Sequence, residues 1–474
     1  MKRGKGMKKK NILFIFTFMI CISILSLASA KTRLYDLIRG DKYFKTKCIN
    51  VMENKKSEAD MPKKNIIYVS SKNGDDNNKG TKSLPYKTIK KGLSKTKAGY
   101  TLVLRSGNYK EKIDIKKKGN RNKYITVRNH NKEKVVIDGS NIKKHSSIIN
   151  LNNSSYIKIM GLTVKNAKGN DIAGINLSSG ANHIILTNNR ITNIRVKNPK
   201  KEEYTNGILL LGENGKHKIN NVLINNNKLY DMDTGWGECI SVSSNNENIN
   251  IIKNNLNKTG NIGIDLTGNY GYCKTKKADF PRKCFVYKNI IKNEKSKYAT
   301  SYGLYVDGGQ DIRLQSNKIT NSGGGIEIGS ERKPIKKYST KNIKVYNNKV
   351  YDCSENGITV GGYKKSLGTV YNVILYKNKC INSGKKEAIL TISKAKNINV
   401  KNNIFSNKYS NSPIVYIPFN KKYSNNLKFN KNIYYSKGKA SKSKYYYKGK
   451  YIKSFKKWTK VSKDKEGKFK KVNY

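Results

Sequence analysis

Nine asparagines recur in the second half of the chain at a spacing close to one turn of a solenoid. The steps between successive members run from 25 to 38 residues. A unit this short cannot bury a core alone, so the units must stack on one another, and the period dictates the architecture. The nine residues are Asn189, Asn227, Asn254, Asn289, Asn317, Asn348, Asn378, Asn403 and Asn432.

A short apolar pair follows most of these asparagines. The repeat lacks the leucine spacing of leucine-rich repeats and the Trp-Asp signature of propellers. Short alternating strands between Gly, Asn and Ser predict an all-β parallel β-helix with a single chain winding through it. An asparagine amide both donates and accepts, so we expect one per turn to form an internal hydrogen-bonded ladder at a sharp bend. The pairs are Gly207-Ile208, Cys239-Ile240, Gly263-Ile264, Gly303-Leu304, Gly325-Ile326, Gly357-Ile358 and Ala388-Ile389.

The amino terminus has the pattern of a secretory signal over residues 1–30. A basic start precedes the apolar stretch Ile12–Leu27, and Ala28-Ser29-Ala30 supplies the small residues of a cleavage site. The alternative is an uncleaved membrane anchor, but the stretch is shorter than the ~20 residues that a span needs. We therefore expect a secreted protein with no membrane span after signal removal.

The remaining chain divides into three segments. Residues 31–65 are charged and weakly patterned, and we interpret them as a linker. Residues 66–435 are assigned to the β-helix, with a short capping helix near its start at Tyr86–Lys97, after Pro85. Residues 436–474 form a basic, Lys- and Tyr-rich segment that either packs on the end of the helix or trails from it.

The charge balance is extreme, with 97 Lys and Arg against 31 Asp and Glu. Loss of the signal removes six basic residues and no acidic ones, which changes the net charge from +66 to +60. An AT-rich genome explains the lysines only in part, because acidic codons are also compatible with it. The charge favours a polyanionic partner, such as an acidic polysaccharide or an anionic cell-wall polymer. No nucleic-acid recognition module is evident, and we expect a monomer.

Cysteine and histidine usage argues against a zinc site. Six cysteines follow residue 30, none of them in a CxxC motif, and the four histidines are scattered. An exported protein could oxidise its cysteines. Cys273 and Cys284 are close in sequence, and we expect them to form a disulfide that closes the insertion between them.

The opening of the repeat region resembles a known superfamily. The motif runs through Tyr68-Val69-Ser70, Gly74-Asp75, Gly80-Thr81 and Pro85–Ile89 to Leu104–Tyr109. It is similar to the start of secreted right-handed β-helix proteins of the pectate-lyase-like superfamily. Polysaccharide lyase family 9 and the chondroitinase- and alginate-lyase-like proteins are its nearest likenesses. The resemblance covers residues 66–435 and implies a right-handed coil that acts on polysaccharide.

Three acidic residues fall on one outward patch when the turns are aligned on the apolar pair. The residue after the pair is Asp265, Tyr305 or Glu327 in successive turns, and Asp307 stands two residues beyond Tyr305. Strand geometry predicts Cα separations of about 8 Å for Asp265 and Asp307 and about 10 Å for Asp265 and Glu327. Such a patch suits a calcium ion bridged by carboxylates or a pair of carboxyl groups around a sugar bond. The alternative is simple pairing with nearby lysines.

A second acidic feature precedes the patch. Asp233, Gly235-Trp236 and Glu238 look similar to the calcium motif of the family 9 lyases, although Thr234 replaces its second aspartate. Trp236 is a candidate sugar-stacking platform, with burial in the core as the alternative. The tentative Ca²⁺ ligands are Asp233, Glu238, Asp265, Asp307 and Glu331.

The insertion Gly271–Cys284 leaves the same face just after Asp265. Tyr270, Tyr305 and Lys274 are candidate substrate contacts. In the lyases of the superfamily the base is a Lys or Arg near the metal, so the resemblance makes Arg282 and Lys283 candidate bases. A solvated basic loop is the alternative.

These features leave three functions open. The first is a polysaccharide lyase that cleaves a uronate polymer by β-elimination. The second is a glycoside hydrolase in which Asp265, Asp307 and Glu327 divide the acid and base roles. The third is a β-helix adhesin or envelope protein that binds anionic polymers without catalysis.

Overall fold

The chain coils into a right-handed parallel β-helix. The computed structural model describes residues 32–53, 62, 64–143, 145–385, 387–409, 412–437 and 439–471. The predicted signal peptide, residues 1–30, lies outside the described residues. No helix in the described part of the chain has the length and apolarity needed to cross a bilayer. The predicted fold class is therefore confirmed.

Three sheets form the sides of the coil, and the described chain contributes thirteen strands to each. Sheet A contains β1 Ile66–Val69, β2 Thr101–Leu104, β5 Ile125–Asn129, β8 Ser155–Met160, β11 Asn182–Thr187, β14 Ile219–Asn225, β17 Asn246–Ile252, β20 Phe285–Tyr287, β23 Arg313–Gln315, β26 Lys341–Tyr346, β29 Val370–Tyr376, β32 Ala395–Lys401 and β35 Asn425–Asn430. Sheet B contains β3 Gly107–Tyr109, β6 Val135–Asp138, β9 Thr163–Lys168, β12 Arg190–Arg195, β15 Lys228–Tyr230, β18 Asn255–Asn257, β21 Ile290–Lys292, β24 Lys318–Thr320, β27 Lys349–Tyr351, β30 Lys379–Ile381, β33 Ile404–Asn407, β36 Ile433–Ser436 and β39 Lys468–Lys471. Sheet C contains β4 Ile113–Ile115, β7 Ser146–Asn152, β10 Ile172–Ser178, β13 Thr205–Gly212, β16 Glu238–Ser244, β19 Ile262–Thr267, β22 Tyr302–Asp307, β25 Gly324–Gly329, β28 Ile358–Val360, β31 Leu390–Ile392, β34 Val415–Ile417, β37 Lys444–Tyr447 and β38 Lys450–Lys453.

The predicted asparagine ladder is present at the bend between sheets A and B. All nine asparagines are at most 1% exposed. Asn317 shows the pattern: its Nδ2 donates to the Val286 carbonyl and to Asn348 Oδ1, each at 3.0 Å. Its own Oδ1 accepts from the backbone and side-chain N–H groups of Asn289, each at 3.0 Å. The residue before each ladder asparagine has a φ of 52–58°, so the bend combines a left-handed residue with a side chain that satisfies the buried backbone.

The core consists of stacked aliphatic side chains. On sheet C, Ile240, Ile264 and Leu304 lie in register on neighbouring strands and are fully buried. Burying one such side chain contributes roughly 1.5–3 kcal/mol. The pair Ala388-Ile389 is out of phase by one residue, because Leu390 is the residue that pairs with Ile358.

Both ends of the coil are closed. Helix α2, Ile89–Lys95, lies within the predicted Tyr86–Lys97 and is capped by the Thr88 hydroxyl. At the other end helix α3, Phe455–Ser462, buries Trp458 completely. Asp464 extends the ladder by accepting from Asn432 Nδ2 at 3.0 Å. The basic C-terminal segment thus packs on the coil through this helix and strand β39.

The range interpreted as a linker contains a docked helix. Helix α1, Lys42–Glu53, packs the side chains of Phe44, Cys48 and Met52 against the outer face of sheet A. The sheet contributes apolar outward residues such as Leu223 to this contact. The helical spacing of the three buried side chains was the signal that the linker interpretation missed.

Candidate functional site

The register of sheet C brings the predicted acidic residues to one outer face. Asp265 pairs with Tyr305, and Tyr305 pairs with Glu327, so the three stand in one row across β19, β22 and β25. Asp307 lies two residues further along β22, opposite Gly329. Neighbouring strands are about 4.8 Å apart, so Asp265 and Asp307 are about 8 Å apart at Cα. The outward row predicted from the repeat is observed.

The side chains of Asp265 and Asp307 face outward from the coil but are almost fully buried. Asp265 is 4% exposed and Asp307 is 1% exposed, because two segments rise beside them. The first is the segment 268–284, which contains the insertion Gly271–Cys284, and the second is the loop 330–340 after β25. The two segments touch, since Asn269 Nδ2 donates to the Tyr338 carbonyl at 3.2 Å. We refer to the acidic row of sheet C and the two segments that flank it as the groove.

Tyr270 connects the two walls of this groove. Its hydroxyl donates to Asp307 Oδ2 at 2.6 Å and also contacts Glu331 Oε2 at 2.9 Å. Glu331 donates its backbone N–H to Asp307 Oδ1 at 2.8 Å and accepts from the Tyr305 hydroxyl at 3.0 Å. The Arg332 guanidinium carbon lies 4.3 Å from the centre of the Tyr270 ring. Asp307 is therefore held on both oxygens, with a cation close by.

Asp265 has a different environment. Its Oδ2 accepts from the Thr267 hydroxyl at 2.5 Å, whereas its Oδ1 is buried without a hydrogen-bond partner. Leaving a buried carboxylate oxygen unpaired is costly, and protonation removes part of that cost. Burial first, and the negative charge of Glu238 next, raise the pKa of Asp265 well above its ordinary value. A neutral Asp265 can donate a proton into the groove.

The pKa values of three further carboxyl groups, those of Asp307, Glu238 and Glu327, are shifted in the same direction. Burial raises the pKa of Asp307 to about 7, and the hydrogen bond from Tyr270 limits that rise. Burial also raises the pKa of Glu238 to about 7, with Glu331 adding a smaller repulsion. The pKa of Glu327 is raised well above its ordinary value by burial. Among the residues that the structure describes, none of these carboxyl groups forms an ion pair with a lysine, which was the predicted alternative.

A carboxylate, rather than a disulfide, organises the insertion. Asp279 is buried and accepts from the Gly271 N–H at 2.7 Å, the Cys273 N–H at 3.2 Å and the Ser244 hydroxyl at 2.5 Å. Cys273 and Cys284 are both free thiols, which corrects the expected bridge. The reason is that Cys284 packs into the core of the coil, while Cys273 lies in the insertion with its Sγ 3.7 Å from the Thr275 carbonyl.

Arg282 and Lys283 do not reach the groove. Arg282 Nη2 lies 3.2 Å from Glu247 Oε2, and Lys283 Nζ donates to Glu247 Oε1 at 2.8 Å. Glu247 belongs to β17 of sheet A, on a different side of the coil. Hydrogen bonds from Lys218 and Lys283 lower the pKa of Glu247 to about 2, against its burial. The structure therefore places both predicted bases in an ion cluster away from the acidic row.

The remaining predicted contacts lie at the edges of the groove. Trp236 is 40% exposed, which excludes the core alternative, and its Nε1 donates to the Pro199 carbonyl at 3.2 Å. Lys274 is exposed on the insertion. Asp233 lies in the turn before β16, where its Oδ1 accepts from the Gly235 N–H at 3.3 Å.

The expected calcium ligands do not fit an ion as their side chains stand. Among the residues that the structure describes, no three His, Cys, Asp or Glu side chains come together as a metal site. Both oxygens of Asp307 and both oxygens of Glu331 already accept hydrogen bonds. Asp233 is engaged in its own turn. Calcium binding stays a prediction, and no chemistry is derived through it.

Two stretches of the chain match known families. Residues 67–238 match the Pel9A-like right-handed β-helix region, and residues 281–452 match a right-handed β-helix region. The two matched regions resemble right-handed β-helix families, and neither match alone spans half of the chain. The resemblance found in its opening motif is thereby confirmed. Within the curated proteins, the uncharacterized protein YwoF of Bacillus subtilis (strain 168) is 30% identical over 325 residues, which cover 66% of this chain and 67% of that protein.

Solved structures of similar shape are more distant in sequence. An alginate lyase from Paenibacillus sp. str. FPU-7 is 15% identical, covers 66% of this chain and 95% of its own, and has a TM-score of 0.44. The Family 28 exopolygalacturonase of Yersinia enterocolitica is 13% identical, with 78% and 79% of the two chains covered and a TM-score of 0.49.

Four residues of the groove were missed by the sequence analysis. Arg332 supplies the cation near Tyr270, Thr267 holds Asp265, and Asp279 shapes the insertion. Tyr272 is 55% exposed, and its ring stacks 6.3 Å from that of Tyr270. Only Thr267 carried a signal, because it stands in the outward phase two residues after Asp265. The other three lie in loops that the repeat does not align.

Proposed function

We propose that this chain is an extracellular enzyme that hydrolyses glycosidic bonds in an acidic polysaccharide. The observation that carries the proposal is a pair of carboxyl groups, about 8 Å apart at Cα, in one dry groove with different hydrogen-bond partners. Asp265 is held neutral by burial and has an unpaired oxygen. Burial raises the pKa of Asp307 to about 7, and the hydrogen bonds from Tyr270 and the Glu331 N–H to its oxygens limit that rise. Environments that separate two carboxyl pKa values define an acid and a base.

The reaction follows from these two states. Asp265 gives its proton to the glycosidic oxygen as the bond to the anomeric carbon breaks. Asp307 accepts a proton from a water molecule whose oxygen attacks the same carbon from the opposite face. One water is added overall, and the two carboxyl groups exchange protons with solvent before the next cycle. Inverting hydrolases hold their two carboxyl groups about 6.5–9.5 Å apart, which leaves room for that water, and a Cα separation of about 8 Å is compatible with such a distance.

The surroundings of the pair suit a sugar polymer. Trp236 and Tyr272 are exposed aromatic side chains on which sugar rings can stack. The surplus of basic side chains outside the groove attracts a polyanion and concentrates it near the protein. The match to the Pel9A-like family is compatible with an acidic polysaccharide as the substrate class.

β-Elimination on a uronate is the second candidate, and Arg332 is the observation that favours it. A guanidinium beside the carboxyl groups can neutralise the substrate carboxylate and make the neighbouring C–H more acidic. The candidate needs a base, and neither Arg282 nor Lys283 supplies one from its position beside Glu247. We therefore rank hydrolysis first.

The test measures two products at once. The protein is incubated with polygalacturonate, alginate and hyaluronan, with added Ca²⁺ or with a chelator. Hydrolysis releases reducing ends without new ultraviolet absorbance and survives the chelator. An unsaturated, absorbing product would replace the hydrolase proposal with the lyase. Binding of a polymer without either product would replace both with a non-catalytic binding protein.

A matched pair of variants tests the roles. Asp265→Asn and Asp307→Asn should each lower the rate by about 10²–10⁴, the usual contribution of general acid–base catalysis. Asp114→Asn is the control, because Asp114 stands in the same outward row of sheet C as Asp265. It lies five strands away, about 24 Å. Equal rates in all three variants would refute the assignment.

A further inference from the structure

The outer face of sheet A carries one row of side chains that is covered along only half its length. Ile185, Leu223 and Phe285 belong to this row, and helix α1 packs on them. The row continues in register on the open strands through Arg313, Lys344, Ile374, Asn399 and Lys428. A shallow cavity of about 710 Å³ lies over the open part of the row, next to the chain segment that precedes helix α1.

Arg39 marks the boundary between the covered and the open halves. Its backbone is fixed to the sheet, because its N–H donates to Asn250 Oδ1 at 2.8 Å and its carbonyl accepts from Asn250 Nδ2 at 2.9 Å. The side chain lines the cavity, and its Nε is buried without a hydrogen-bond partner. A buried guanidinium N–H with no acceptor is costly, and an anionic oxygen in the cavity would satisfy it.

The charges around the cavity are mostly positive. Burial, and then the nearby Arg39, lower the pKa of Arg313. Lys344 and Lys428 line the cavity and make no ion pair with any described residue. The one acidic side chain in the lining is Asp311, whose Oδ1 already accepts from Asn342 Nδ2 at 2.9 Å. Like charges gathered in this way favour a bound anion.

Amide groups run beside the cations. Asn372 Nδ2 donates to Asn342 Oδ1 at 3.0 Å, Asn397 Nδ2 to Asn372 Oδ1 at 3.0 Å, and Asn426 Nδ2 to Asn397 Oδ1 at 2.9 Å. Each primary amide has two N–H donors, so the ladder keeps hydrogen-bonding capacity for a ligand. Regularly repeated amides next to cations suit a chain that bears both hydroxyl and carboxylate groups.

We propose that this cavity is a second binding site for an acidic polysaccharide, separate from the groove on sheet C. The polymer lies across the strands of sheet A, with carboxylates at Arg39, Lys344 and Lys428 and hydroxyls at the asparagine amides. The site holds the polymer while another stretch of it, or another chain, occupies the groove. The choice of an acidic polysaccharide as the ligand rests on the proposed function.

The experiment measures polymer binding in the absence of cleavage. Affinity electrophoresis in gels containing polygalacturonate or alginate gives the dissociation constant for the full chain carrying Asp265→Asn. Adding Arg39→Gln, Lys344→Gln and Lys428→Gln should weaken binding about tenfold, the order expected for the loss of three ion contacts at a partly exposed site. Dextran gels should show no retardation of either protein.

A charge-matched control separates a site from general attraction. Lys90→Gln, Lys349→Gln and Lys456→Gln remove the same number of charges from exposed positions away from the cavity, and should change the dissociation constant less than about twofold. Equal losses in the two triple variants would overturn the proposal. The proposal would also be overturned if the protein bound inorganic polyphosphate but neither uronate polymer, and if the cavity variant lost that polyphosphate binding.

The outcome is independent of the groove. In the Asp265-containing background, the cavity variant should cleave a short oligosaccharide as fast as the wild type, because the cavity is on another sheet. If no glycosidic bond is cleaved by either protein, the proposed function fails while the difference in polymer binding still stands. Thermal unfolding of both triple variants within the same few degrees shows that each is folded.

Discussion

Replacement of one ladder asparagine should destabilise the coil far more than replacement of its exposed neighbours. Asn317→Ala removes the donors to the Val286 carbonyl and to Asn348. It also removes the acceptor for the Asn289 backbone and side-chain N–H groups. The Val286 carbonyl and two Asn289 N–H groups thereby lose a buried partner. At about 1–3 kcal/mol for each of these three unsatisfied groups, the free energy of unfolding should fall by about 3–9 kcal/mol.

The control is Asn255→Ala. Asn255 is exposed on β18, next to the ladder residue Asn254, and the change should lie within about 0.5 kcal/mol of the wild type. Urea unfolding followed by circular dichroism gives both values. Because stacked repeats can unfold in parts, the midpoint and the slope are compared together. A loss in Asn317→Ala as small as that in Asn255→Ala would show that the ladder does not support the coil.

Three further outcomes follow from the groove. The rate of polymer cleavage should rise with pH through about 7 as Asp307 ionises. It should fall only at a pH well above the ordinary carboxyl range, as Asp265 ionises. A rate that is independent of pH between 5 and 8 would contradict these roles. Because burial raises the pKa of Glu327, folding favours its neutral carboxyl form. The stability that this form contributes is present at low pH and is lost as the pH rises through the pKa of the folded state. Glu327→Gln should therefore reduce the fall in melting temperature between pH 5 and 9. An equal fall in the variant and in the wild type would contradict this reasoning. Asp279→Asn should loosen the insertion, which should raise KM about tenfold and make tryptic cleavage within the insertion faster. An unchanged KM would show that the insertion takes no part in substrate binding.

The sheet positions of the acidic residues could be predicted from the repeat. In a parallel β-helix every turn is built on the same local pattern, so the residue after each apolar pair meets its counterpart one turn away. Asp265, Tyr305 and Glu327 follow that rule. The displaced pair at Ala388 shows its limit, because one extra residue in a turn shifts the phase of the strand that follows.

The partners of the loop residues could not be predicted in the same way. Insertions have no counterpart in neighbouring turns, so the repeat gives no register for them. Arg282 and Lys283 were assigned to the groove because the insertion leaves its edge, yet the chain crosses to sheet A before reaching them. Their partner Glu247 is distant in sequence and carries no motif.

The amino-acid sequence by itself determined the coil, its asparagine ladder and the outward row of acids, because these depend on contacts between equivalent positions in successive turns. Tertiary structure alone decided which acids are dry, which oxygen of Asp265 is unpaired, and where Tyr270 and Asp279 fasten the insertion. It also decided that helix α1 docks on sheet A and leaves a basic cavity beyond Arg39. Burial and charge in these places come from segments that meet only when the coil is complete, so no local pattern encodes them.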